Sequence, residues 1–169
     1  EPMLERMLRA ARMETDLYEE VEADKTATGQ ALMVVVLVAV ASGIGGLGAT
    51  GNVAGLIFGV LFGVVNWVLW AYVTFLIGTT ILNTPQTQAD WGELARTTGF
   101  AQSPGILRIL GLIPALGTTI FAIISVWQLA TMVIAIRQAL DYTSTWRAAG
   151  VAVIGFIVLA VLQSILFFL

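Results

Sequence analysis

The 169-residue sequence predicts an all-α integral membrane protein: five transmembrane helices preceded by an N-terminal amphipathic cytoplasmic helix. Three observations carry this. Charged residues make up 11% of the chain and hydrophobic ones 58%, with a mean hydropathy of +0.90, whereas soluble globular chains carry about 25% charge. So few charges could not solvate a protein of this size, and lipid must cover most of its surface. Apolar runs of span length recur along the chain, each crossing needing roughly 20 residues. Eight of the eleven acids fall within the first 24 residues, which divides a polar segment, 1–28, from a membrane domain, 29–169.

In segment 1–28, Met3, Leu4, Met7, Leu8, Ala11, Leu17 and Val21 recur at helical spacing. Arg6, Arg9 and Arg12 make its first half basic, and Glu14 to Asp24 make its second acidic. Two readings stay open: a solvated lead-in, or a helix lying on the membrane or docking on a partner. The segment lacks the short apolar core and cleavage site of a signal peptide. Glu1 in place of Met is expected to mean that the native start lies upstream or has been removed.

The first span is read over 31–49 and the second over 53–82, long enough to tilt. A polar stretch, 83–103, reads as a loop and a short interfacial helix. The third span, about 104–116, is short. It either crosses, extended by the helix before Pro104, or dips in and returns. The fourth and fifth spans are read over 118–140 and 148–169, joined by a short polar turn. With five crossings all eight basic residues share one side, so the positive-inside rule selects five. That places the N-terminus in the cytoplasm and the C-terminus outside a bacterial inner membrane.

Chemistry is poorly represented. Cysteine and histidine are absent, which removes thiolate nucleophiles, sulfur metal sites and the commonest general base and metal ligand. No catalytic set, metal cluster or phosphate-binding loop can be assembled, so neither an enzyme nor a cofactor is expected. No basic face exists for nucleic acid.

The clearest pattern is a glycine ladder, Gly51, Gly55, Gly59 and Gly63, four residues apart on one helical face. Ala39–Gly43 and Ser42–Gly46 give the first span a matching small-residue face. The first two spans are therefore expected to pack as a hairpin along these grooves. Asn66 in the second span and Gln128 in the fourth are intramembrane amides that need partners, with Gln128 or Gln163–Ser164 available to Asn66. Arg108, Arg137 and Asp141 are expected to cluster at the cytoplasmic face, the arginines snorkelling to the interface. Ala148, Ala152, Gly155 and Phe156 mark one face of the last span as a stripe for a partner helix.

Asp16-Leu17-Tyr18 before the first span, Gly99-Phe100 followed by Pro104 before the third, and the five-span plan resemble the Yip-one domain family. These are small membrane proteins named for interaction with Rab-type GTPases. The stretch 99–105, with Trp127 and 137–141, is similar to bacterial members. Glu19-Glu20 stand where the family has Gly-Pro. The resemblance implies a non-enzymatic membrane protein, a scaffold or trafficking factor. Two functions are carried forward. One is an accessory subunit packing against other integral membrane subunits and lipid, a respiratory or photosynthetic electron-transfer complex being one possible host. The other is a scaffold that recruits a small GTPase or other soluble partner through the N-terminal segment. A small transporter is disfavoured, since no acid lies within a span.

Overall fold

The chain turns back on itself before it reaches the membrane domain. The computed structural model describes residues 1–50 and 52–169, and the side chains of all these except 48–50. In place of one amphipathic helix, the N-terminal segment forms two, α1 (Met3–Ala11) and α2 (Thr15–Ala23). Met13 adopts a left-handed conformation, φ 61°. Its N–H bonds the Ala10 carbonyl and the Glu14 N–H bonds the Arg9 carbonyl, the paired bonds of a left-handed helix stop. The break lets α2 fold back beside α1. Met7 and Ala10 then face Leu17, Tyr18 and Val21 in one core.

A 3-10 turn, Lys25–Ala27, leads into α3 (Thr28–Thr50), which is followed by α4 (Gly55–Thr79), α5 (Trp91–Ala101), α6 (Gly117–Ala139) and α7 (Thr145–Phe168). Among the described residues, α3, α4, α6 and α7 are long and apolar enough to cross a membrane. α5 starts from a capping box: Asp90 accepts from the Glu93 N–H, and Glu93 accepts from the Asp90 N–H, each at 2.9 Å. α6 ends as α1 does, with Asp141 at φ 54° and the Tyr142 N–H returning to the Arg137 carbonyl.

The expected third span is not an α-helix. Ser103–Leu112 is a ten-residue 3-10 stretch, with Pro104 at its first turn lacking an N–H to give. Side chains of the neighbouring helices hold the segment that leads into it, bonding carbonyls of α5 and of Gln102 at its C-cap. Trp67 donates to the Ala95 carbonyl at 2.9 Å, Thr131 to that of Ala101 at 2.6 Å, and Gln128 to that of Gln102 at 3.0 Å.

This segment runs alongside α3. A methyl on Gly99 would lie 2.9 Å from the Ala31 Cβ, and one on Gly105 2.5 Å from Val38. One on Gly111 would lie 2.9 Å from the Gly45 carbonyl. Glycine is required where the two backbones come this close. α7 runs antiparallel to α4, with Gly150 near Leu82 and Gly155 against Trp70.

Candidate functional site: a polar cleft between the long helices

The expected glycine seam is mostly a cleft. Gly63 does pack on α3, where an added methyl would lie 3.2 Å from the Ala39 Cβ, and Gly43 packs on Leu56. At Gly59, however, an added methyl would have nothing within 4 Å, and at Gly55 it would touch only Asn52 of the same helix start. Gly46 likewise has no atom near its missing Cβ. Gly51 lies outside the described residues. The ladder therefore lines open space of about 750 Å³ between α3, α4, the 3-10 stretch and α6. The end of α5 and the 3-10 stretch pack on α3 along Ala31, Val38 and Gly45, while α4 meets α3 on a different face, at Ala39 and Gly43, so the two diverge and the cleft opens between them.

Polar groups from four elements converge here: Ser42, Asn66, Gln102, Arg108, Ser125 and Gln128. Asn66 accepts a 2.9 Å bond from Gln163 of α7, one of the partners expected for it. Gln128 is spent on the Gln102 carbonyl.

Arg108 overturns an expectation. It does not join Arg137 and Asp141 at a common face. Its Nη2 donates to Ser125 Oγ at 3.1 Å and its guanidinium lies 5.7 Å from the Phe121 ring centre. Its backbone carbonyl abuts Gly45, fifteen residues above Gln30 at the base of α3. A methyl on Gly105 would sit 3.2 Å from Arg108 Nη1, so the side chain bends back into the cleft. Arg137 and Asp141, four apart, make no ion pair with each other. Arg137 donates to the Thr145 hydroxyl at 3.0 Å and to the Tyr142 carbonyl at 3.3 Å. Asp141 accepts from the Gln88 N–H at 3.4 Å.

The charged end of the molecule is a second polar region. Arg6, nearly buried, bridges Glu20 at 2.8 Å and Asp24 at 2.9 Å, and Arg9 joins Glu1, Glu14 and Glu20. The Thr26 hydroxyl and then Arg6 hold the Asp24 carboxyl down at about 2. Glu20 loses some solvation, but bonds from Arg9 and Arg6 outweigh this and lower it. Glu22 goes the other way. Burial first, then the charges of Asp141, Glu93 and Glu19, push it up to about 8, against the pull of Arg96. Arg96 is buried and donates to the Val21 carbonyl at 2.8 Å and to the Glu22 carbonyl. Trp127 donates to the Ala11 carbonyl at 2.8 Å. These two side chains clamp the α1–α2 layer onto α5 and α6.

The motif residues fall in this clamp. Leu17, Tyr18 and Phe100 are fully buried, Pro104 is buried, and the Tyr18 hydroxyl donates to the Ala10 carbonyl at 2.9 Å. Gly99 is pressed between Ala31 and Trp67. Asp16 alone faces outward.

A short segment before the first long helix is thus locked to the segment entering the 3-10 stretch. The profile of the Yip1 domain family matches residues 14–165. The chain belongs to the Yip1 domain family. Neither a curated protein nor a solved structure matches it. The matched Yip1 domain begins at Glu14 and runs from α2 into α7, so α1 precedes it. The sequence does not single out Arg96 or Ser125, and it marks Trp127 and Gln102 only through the family resemblance, without a role. Arg96 was legible only as one more interfacial cation, and hydroxyl or indole partners on carbonyls carry no spacing signature.

Proposed function

We propose that this Yip1 domain protein is a non-enzymatic accessory subunit, packing through α7 against a helix of a larger membrane complex. The observation that supports it is the outer half of α7. From Ala160 to Leu169 every residue is exposed, and Phe156, Ile157, Val161, Ile165 and Phe168 form an unpartnered apolar face. The stripe expected from the sequence is displaced: Ala148, Ala152 and Gly155 are buried within the chain itself, and only Phe156 points out. Small residues serve the internal contact with α4, leaving the large ones for a neighbour.

Five crossings follow on this reading. The 3-10 stretch spans about 20 Å at ~2.0 Å per residue, and the buried last turns of α5 make up most of the ~30 Å hydrocarbon core. Seven of the eight basic residues then share the α1–α2 end, which puts the N-terminus in the cytoplasm and the C-terminus outside an inner membrane.

Purification from native membranes tests the reading. The chain should recover an integral membrane partner in fixed stoichiometry, and Ile165→Arg should release it. Recovery of the chain alone or with the partner unaffected by Ile165→Arg would overturn it. A second reading, recruitment of a soluble partner such as a small GTPase, rests on Asp16. It is the one residue of the Asp-Leu-Tyr motif left exposed, beside exposed Glu19 on α2. Capture of a soluble partner that is lost in Asp16→Lys would favour it.

A further inference from the structure

We propose that the cleft binds one anionic phospholipid, its phosphate on Arg108 and one acyl chain lying along the glycine trough of α4. The charge balance of the cleft carries this. Among the described residues every ion pair belongs to Arg6 or Arg9 at the other end of the molecule, and no acid lines the cleft. Arg108 is thus a cation set among apolar helices with the Ser125 hydroxyl and the face of the Phe121 ring as its partners and no carboxylate. An intramembrane guanidinium without a counter-charge is costly, and such residues mark ligand or ion sites. Its planar set of five donors matches phosphate oxygens, and one donor is in use. With no carboxylate nearby to receive an amine, a headgroup carrying net negative charge fits better than a zwitterionic one.

The rest of the cleft suits the remainder of such a molecule. Its volume of about 750 Å³ falls within the roughly 300–1,000 Å³ of ligand pockets. Val35, Val38, Ala39, Leu56, Leu129 and Met132 make its walls apolar. Gly55 and Gly59 expose bare helix where side chains would fill the space, and both are open at the surface. An unbranched chain can lie against that strip. A seam meant for a neighbouring helix inside the chain would have been closed by α3, as it is at Gly63 and Ala39.

Thermal unfolding of the full chain in neutral detergent tests this, with phosphatidylglycerol, phosphatidylcholine or inorganic phosphate added and retained lipid counted by native mass spectrometry. One phosphatidylglycerol should be retained, with a saturable rise in Tm at lower concentration than for phosphatidylcholine. Arg108→Gln keeps a donor for Ser125 and should weaken phosphatidylglycerol about tenfold, the loss of a charge-assisted phosphate contact. Gly59→Leu, into space that is open, should leave the lipid-free Tm unchanged and reduce retention of the lipid. The proposal is overturned by equal binding of the two lipids, by Arg108→Gln binding as the parent does, or by the full Tm rise with inorganic phosphate alone.

Discussion

Glu22 is the residue whose surroundings and chemistry conflict most. Its Oε2 is buried and is the one buried side-chain oxygen without a hydrogen-bond partner among the described residues. Burial and three nearby acids raise the carboxyl to about 8. The folded state therefore holds a proton that the unfolded chain releases near the ordinary glutamate value. Stability from this group is complete below about 4.3 and is lost as pH rises through 8. Glu22→Gln, neutral at every pH, should unfold at a higher temperature than the parent at pH 8.5 and at a similar one at pH 5. Equal Tm differences at both pH values would show that the carboxyl is not protonated in the fold. Asp24 works in the opposite sense. Held at about 2 by Thr26 and Arg6, it stabilises above the ordinary aspartate value and is lost as pH falls towards 2, so the clamp should be firmest in mildly acid solution.

Glycines differ as much as carboxylates, and their spacing does not separate them. Gly59 belongs to the conspicuous ladder yet faces open space, whereas Gly45, outside it, has the Arg108 carbonyl where its Cβ would be. Gly45→Ala should therefore lower stability by at least the ~1–3 kcal/mol typical of overpacking. Gly59→Ile should cost far less. Expression and thermal unfolding in one detergent would rank them, and a reversed order would mean that the ladder is the packing seam after all. A four-residue repeat tells that small residues share a face. It does not tell whether a neighbour arrives there.

At the scale of elements, α1 and α2 act as a single clamp. Their amphipathicity was legible from Met3, Met7, Leu17 and Val21, because burial on one face imposes helical spacing. The break at Met13 was not, since neither glycine nor proline marks it and the left-handed turn is held by the contacts that follow it. Arg96 closes the clamp from α5 by covering the last carbonyls of α2. Arg96→Met preserves the length of the side chain but leaves those buried carbonyls unpaired, a loss of about 1–3 kcal/mol. Limited proteolysis should then cut near residues 12–14 or 24–27 at protease levels that leave the parent intact. Unchanged protection would place the strength of the clamp in the Arg6 network instead.

For the whole molecule, the segment hardest to read was the one that organises the rest. Four long apolar helices were visible because each is a continuous apolar run of span length. The stretch from Gly99 to Leu116 broke that pattern with Pro104, Gly105, Gly111 and Pro114, and Arg108 within it looked like an interfacial cation. Its entry is held by Trp67, Gln128 and Thr131, which meet the Ala95, Gln102 and Ala101 carbonyls just before the 3-10 stretch from helices distant in sequence. No local signal encodes that. Topology follows from whether this segment crosses. If it does, the turns at 83–90 and 141–144 lie on the same face, and 113–116 lies opposite. The chain contains no cysteine, so single substitutions Gln86→Cys, Thr143→Cys and Ala115→Cys can each be labelled without background. A membrane-impermeant maleimide applied to intact cells should reach Ala115→Cys, and should reach the other two only after the membrane is opened. Were Thr143→Cys labelled in intact cells while Gln86→Cys was protected, the segment would enter and leave by one face. The arginines at 137 and 147 would then sit outside, against the charge distribution that favours five crossings.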